Sequence, residues 1–292
     1  MPELQEILAI ARSVGWGASY LLRSYYHGAI NEGKLDIQNK KDGPVTAADI
    51  AVDRYILDRL KSNLGEQTFG YISEETYKLH SQQLPQDLVW IIDPLDGTRD
   101  FINRTGEYAI HIALVKDFRP LLAVVAYPEA EKLYYATLGN GTFVENRSGQ
   151  ITPLKVSENS QLSEITVVAS RTHRNDRFNY LLQKLNFKTQ QYVGSIGCKI
   201  ATIVEQKADV YITLSSNSAP KDWDFAAPEL ILTEAGGQFT RFDGSFLKYN
   251  QGDVNQWGGI VASNSNCHKL ICQESEKILL ELERTENSSR RS

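Results

Sequence analysis

The chain has 292 residues, 41% of them hydrophobic and 23% charged, with a formal net charge of -5. That length supports one large domain or two halves sharing an interface. With no face dense in lysine and arginine, the composition argues against a nucleic-acid polymer as partner, although a bound cation would still let a mildly acidic protein take an anionic substrate.

The start, Met1-Pro2-Glu3-Leu4, has no basic segment ahead of an apolar one, unlike a secretion signal. Leu4, Ile7, Leu8, Ala11 and Val14 form an apolar stripe that predicts a helix over 4–27. Lys40-Lys41-Asp42-Gly43-Pro44 is a turn by composition. Val52, Ile56, Leu60 and Leu64 recur every four residues behind the N-cap candidate Thr46, which predicts a helix over 47–64 with Asp49 in its first turn. Residues 69–73 read as a short strand that ends at Glu74. The apolar run 88–92 reads as a strand covered on both faces, and it is expected to stop at Asp93-Pro94. Further strands are expected over 109–116, 121–127 and 132–137, with a turn at Gly139-Asn140-Gly141. Beyond 154, strand-like pieces at 166–169 and 209–212 alternate with helix-like pieces at 174–185, 196–205, 225–234 and 269–282, a mixed α/β pattern. The expected organisation is an N-terminal α+β half, 1–154, and a C-terminal α/β half, 155–292, in one integrated unit. The polar tail 286–292 is expected to fray. No apolar run approaches the roughly 18 residues of a transmembrane helix, so no membrane partner is expected. Cys198, Cys267 and Cys272 have neither disulfide-framework nor zinc spacing, so a cytoplasmic location and buried, inert thiols are expected.

Asp93-Pro94-Leu95-Asp96-Gly97-Thr98 is the most informative segment. Two carboxylates follow a buried strand in a turn locked by proline and glycine. Hard divalent cations take oxygen ligands, and the Leu95 carbonyl can add one between the two side chains. Two such carboxylates repel unless a cation or proton lies between them. Gly97 permits a tight turn, and Thr98 would open a short helix toward Ile102 whose start could cradle a phosphate. Taken singly, Asp-Pro and Asp-Gly are common turn dipeptides. Haloacid-dehalogenase-type phosphatases carry Asp-x-Asp after a strand and use the first aspartate as a covalent nucleophile. Here two residues separate the aspartates, which in extended chain sends their side chains to opposite faces and disfavours that route. A second segment, Asp222-Trp223-Asp224-Phe225-Ala226-Ala227-Pro228, reads as a helix starting near Asp224, with Pro228 near its first turn and a stop at Gly236.

Asp49 at a helix start, Glu74-Glu75 after a strand, Asp93 to Thr98, then Trp223-Asp224-x-Ala-Ala resembles the inositol monophosphatase superfamily, the lithium-sensitive, magnesium-dependent phosphatases. The resemblance covers about 11–259. It implies a five-layer α-β-α-β-α sandwich of the sugar-phosphatase type, mixed α+β and α/β. It also implies two or three Mg2+ ions per site, inhibition by Li+, a small anionic phosphate-ester substrate and a possible homodimer. Glu74, Asp93, the Leu95 carbonyl, Asp96 and Asp224 would hold metal. Asp49, Thr98 and Glu74 would orient and activate the attacking water, Gly97 and Thr98 would hold phosphate, and Glu75 would support Glu74. Arg99-Asp100-Phe101, Ser170-Arg171-Thr172-His173 and Gly194 to Lys199 are similar to segments of the 3'(2'),5'-bisphosphate nucleotidases. They imply Arg99, His173, Ser195 and Lys199 as substrate contacts, with Lys199 facing a second phosphate. Ile196 stands where those enzymes often have serine. The expected reaction is hydrolysis of adenosine 3',5'-bisphosphate to AMP and phosphate by metal-activated water. An inositol-1-monophosphatase or inositol polyphosphate 1-phosphatase is the nearest alternative, and a non-catalytic metal- or nucleotide-binding regulator is the alternative of another class.

Overall fold

The computed structural model describes residues 3–30, 35–40, 43–77, 83–171 and 175–289. The first helix, α1 (Leu4–Tyr26), buries Ile7, Leu8, Ala11, Val14, Ala18 and Leu22 along one stripe. A short antiparallel pair, β1 (Gln38–Lys40) and β2 (Gly43–Val45), brackets the expected turn, whose Lys41 and Asp42 lie outside the described residues. Then α2 (Ala47–Leu64) begins at the predicted cap: Thr46 Oγ1 accepts from the Ala48 N–H, and the Asp49 carboxylate accepts the Thr46 N–H in return.

A seven-stranded sheet follows in chain order: β3 (Phe69–Ser73), β4 (Leu88–Asp96), β5 (Ala109–Lys116), β6 (Arg119–Tyr127), β7 (Lys132–Thr137), β8 (Thr142–Asn146) and β9 (Ile151–Leu154). Among the described residues of this sheet, only β3 and β4 are parallel neighbours. The one-turn helix α3 (Thr98–Ile102) leaves β4. The second sheet has the order β11 (Thr189–Tyr192), β10 (Thr166–Ala169), β12 (Val210–Leu214), β14 (Gly259–Asn264), β13 (Gly237–Arg241). In it β10 runs parallel to both neighbours and β14 antiparallel to both. The remaining helices are α4 (Asp176–Leu185), α5 (Ile196–Val204), α6 (Asp222–Glu234) and α7 (Ser265–Ser289).

Strand periodicity assigns the layers. Even-numbered Leu88, Trp90, Ile92, Ile110, Ile112 and Val124 pack with α1 and α2, while odd-numbered Val89, Ile91, Ala113, Val115 and Val125 face α5 and α6. The same α5–α6 layer packs on its far side against Val168, Tyr211, Phe239 and Ala262 of the second sheet. The outer face of that sheet, with Val167, Ala169, Val210, Ile212 and Val261, is covered by α4 and α7. The order is therefore α-β-α-β-α. Burial on both faces explains the unbroken apolar run of β4, where each large side chain contributes about 1.5–3 kcal/mol.

Several boundaries differ from expectation. Strand β4 does not stop at Pro94 but continues to Asp96, because its register with β5 shifts between Asp93 and Asp96 and accommodates the proline at an irregular point. Helix α6 starts at Asp222, so Asp224 is its third residue and Pro228 falls in the second turn, with no N–H to offer the Asp224 carbonyl. Helix α7 starts at Ser265 and holds its geometry to Ser289, into the tail expected to fray. Strands β8, β9, β11, β13 and β14 carry no expectation from the sequence. The edge pieces β9 and β11, ITPL and TQQY, are short and mostly exposed, without an apolar run to mark them. All three cysteines are buried and free. Among the described residues, no helix is long and apolar enough to cross a membrane.

Candidate active site

The shift in β4 undoes the opposite-face geometry of plain extended chain. Asp93 and Asp96 each place a carboxylate oxygen within 4.8 Å of the other and of Asp224, which arrives from the first turn of α6. Each carboxylate is locally fixed. Asp93 Oδ1 accepts the Leu95 N–H at 3.0 Å, and Asp224 Oδ2 accepts the Lys221 N–H at 2.6 Å. Asp96 Oδ2 accepts the Gly197 N–H at 2.9 Å, from the first turn of α5. Glu74 follows β3, its N–H on the Ile92 carbonyl at 3.2 Å, and its carboxyl and that of Asp93 act on each other.

The electrostatics are those of crowded acids. Burial, then Asp224 and Glu75, push Glu74 well above the ordinary carboxylate range; burial, then Glu74 and Asp96, do the same to Asp93. Burial and Asp96 push Asp224 up to about 6. Burial alone would raise Asp96 as well, but His111, Lys199 and the Gly197 amide outweigh it and hold that carboxyl low. A cluster of hard oxygen donors whose mutual repulsion a cation would relieve fits a divalent metal such as Mg2+. The Leu95 carbonyl, which takes the Thr98 hydroxyl at 3.2 Å, lies on the same turn.

Thr98 Oγ1 is also 3.1 Å from Asp49 Oδ1, while Asp49 Oδ2 takes the Thr46 N–H at 2.8 Å and the Thr46 hydroxyl at 2.6 Å. Burial pushes Asp49 up to about 6. Gly97 has φ 91°, and a Cβ there would sit 3.0 Å from Ser195 Cβ and 3.1 Å from the Glu107 carbonyl, so glycine is required twice over. With five residues, α3 contributes little macrodipole to an anion.

The expected substrate contacts divide. Arg99 is exposed. His173 lies outside the described residues. Ser195 is buried and caps α5, its Oγ accepting the Cys198 N–H at 2.9 Å. Lys199 is 1% exposed, and its ammonium donates to the carbonyls of Gly194 and Ser195, 5.5 Å above the Tyr211 ring. That charge is directed inward, onto the start of its own helix.

One neighbour escaped the sequence. His111, on β5 and fully buried, has Nδ1 3.1 Å from the Trp223 carbonyl and Nε2 3.2 Å from Asp96 Oδ2. A single ring thus ties Asp96 to the residue before Asp224. A histidine inside an apolar strand was the available signal.

The inositol monophosphatase family profile matches residues 3–280. The chain is 30% identical over 247 residues to a 3'(2'),5'-bisphosphate nucleotidase CysQ of Salmonella typhimurium, covering 84% of this chain and 93% of that one. It is 25% identical to an inositol-1-monophosphatase of Bacillus subtilis over 82% of this chain and 86% of the relative. Among solved structures, an IMPase of Thermotoga maritima superposes with a TM-score of 0.77 at 24% identity, over 94% of this chain and 98% of its own.

Proposed function

The chain belongs to the inositol monophosphatase family, and from that premise we propose that it is a Mg2+-dependent 3'(2'),5'-bisphosphate nucleotidase that hydrolyses adenosine 3',5'-bisphosphate to AMP and phosphate. The observation that carries the reading is the convergence of Asp93, Asp96 and Asp224 within 4.8 Å, beside the Thr98–Asp49 pair. Glu74, Asp93, the Leu95 carbonyl, Asp96 and Asp224 would hold the metal. Bound there, Mg2+ supplies neutralisation of the phosphate charge, acidification of water and stabilisation of the leaving oxygen.

The chain's own residues do the rest. Thr98 offers its hydroxyl to Asp49 or to the Leu95 carbonyl, which leaves a lone pair on Oγ1 to orient an attacking water. Asp49, raised to about 6, is a carboxylate at neutral pH and can accept the proton relayed through that hydroxyl. Glu74, driven toward its neutral form without a cation, would serve as a second acceptor only when metal keeps it ionised. The backbone at Gly97 and Thr98 holds the phosphate, and burial of the carboxylates keeps competing water out. A binding regulator would need no such hydroxyl–carboxylate pair, which favours an enzyme. Lithium would compete for the same oxygen cluster and inhibit.

One observation favours an inositol monophosphate as substrate instead: Lys199 spends its charge on two carbonyls, so a second phosphate would need another cation. Phosphate release in Mg2+, measured side by side on adenosine 3',5'-bisphosphate and inositol 1-phosphate, tests both. A higher kcat/KM for the nucleotide is expected, and a clear preference for the inositol ester would overturn that choice.

A further inference from the structure

Two of the sequence runs quoted above meet in space. Asp100 follows the Gly97–Thr98 turn on α3, and Arg171 follows β10 in the second sheet. Arg171 Nη1 lies 2.8 Å from Asp100 Oδ1 and 2.5 Å from Glu107 Oε2, across a sequence gap of 71 residues to Asp100. Glu107 carries the link onward: Oε2 accepts the Gly194 N–H at 2.7 Å, and its carbonyl accepts the Ser195 N–H at 3.2 Å. Thr105 Oγ1 steadies Asp100 from its own side at 3.0 Å.

The seam these groups cross has no slack. A Cβ on Gly194 would fall 2.6 Å from both Asp100 Cγ and the Glu107 carbonyl, and one on Gly97 would press on Ser195. The three side chains are 36%, 19% and 23% exposed for Arg171, Asp100 and Glu107, so their charges are only partly screened by water. Arg171 here faces two carboxylates, with the buried Lys199 ammonium also within their field, at the rim of a site built for an anion.

We propose that Arg171 is a positioning residue that sets substrate preference: by bridging Asp100 and Glu107 it fixes the spacing between the Gly97–Thr98 turn and the head of α5, and it keeps that rim from repelling a highly charged phosphate ester. The kinetic consequence rests on the phosphatase reading above; the bridge itself does not. Arg171 stands apart from the metal cluster and from the Thr98–Asp49 pair, so its removal acts on binding rather than on the chemical step. Without it, the Asp100 and Glu107 charges face the substrate with no surface cation bridging them, and a bisphosphate suffers more than a monophosphate. Removing one of those carboxylates then relieves the damage.

The test is a cycle of Arg171→Met, Asp100→Asn and the double variant, read by steady-state kinetics and by amide hydrogen exchange over 194–197. In Arg171→Met, KM for adenosine 3',5'-bisphosphate should rise about tenfold and that for inositol 1-phosphate about threefold, with kcat within about twofold. The double variant should recover about half of the logarithmic loss. Exchange at the Gly194 and Ser195 amides should quicken about tenfold in Arg171→Met. Unchanged KM values together with unchanged exchange would sink the proposal. So would a double variant no better than Arg171→Met combined with a lower KM for Asp100→Asn alone, since that pattern marks direct contact between Arg171 and substrate. If the wild-type protein releases phosphate from neither ester, the phosphatase reading fails, and the exchange measurement alone decides the bridge.

Discussion

Asp96 shows how much a single acid needs from its neighbours. Its carboxylate is held by an amide of α5 and a ring of β5, and those contacts keep it ionised while Asp93 and Glu74 are driven toward their neutral forms. Asp96→Asn and Asp224→Asn should each lower kcat by about a hundredfold or more while leaving the far-ultraviolet spectrum intact. Full turnover of either variant in saturating Mg2+ would remove the assigned ligand roles. Mg2+ should also raise the melting temperature of the wild type, since ligand at a hundredfold excess over its Kd is worth about 2.7 kcal/mol. That shift should nearly vanish in Asp93→Asn, and a full shift there would exclude Asp93 as a ligand. The residue types of this site were legible in the sequence because carboxylates in a Pro- and Gly-locked turn have few bland uses together. His111 was not, because a lone histidine in an apolar strand reads as core until α6 is seen to bring the Trp223 carbonyl against it.

At the level of elements, the starts of α1, α2 and α5 were read correctly, whereas α6 and α7 begin earlier than expected. Thr46 and the four-residue apolar repeat placed α2 correctly, since caps and stripes are local properties. The irregularity in β4 depends on how β5 pairs with it, and the sequence of β4 alone does not contain that partner. Helix α5 is seated against β5 with equal precision: a Cβ on Gly197 would lie 2.5 Å from His111 Nε2 and 2.7 Å from Ala109 Cβ. Gly197→Ala should therefore destabilise by about 1–3 kcal/mol in denaturant titration and weaken Mg2+ binding. Helix α7 carries a separate pH dependence. His268 is buried between β13 and β14, its Nε2 2.8 Å from Thr240 Oγ1 and its Nδ1 2.7 Å from Ser263 Oγ. Thr240 gives its own proton to the Arg241 carbonyl at 2.7 Å, so a neutral ring donates from Nε2, and its Nδ1 competes with the Asn264 carbonyl at 2.9 Å for the one Ser263 proton. Burial lowers His268 from 6.5 to about 4. Between those values the unfolded chain binds a proton that the folded chain does not, so stability falls as pH drops through that window, by about 2–3 kcal/mol. Urea midpoints at pH 7.5 and pH 4.5 should differ less in His268→Gln than in wild type.

Across the whole molecule, the α5–α6 layer is common to both sheets and supplies Asp224, the Gly197 amide and the capped start at Ser195. A fragment of residues 1–154 would leave Val89, Ile91, Ala113, Val115 and Val125 without cover. It should bind a hydrophobic dye and lack a cooperative melt, and a sharp two-state transition for that fragment would show that its sheet folds without the shared layer. The sequence by itself determined the acids, their order, the main helices and the doubly covered strand, because composition, caps and periodicity act over a few residues. Tertiary structure decided that Asp93, Asp96 and Asp224 converge, that Lys199 turns inward and that Arg171 reaches Asp100. Those outcomes depend on strand register and on layers meeting across tens of residues, where no local pattern reaches. The three acids and the bridge beside them came together only once two sheets closed on one layer of helices.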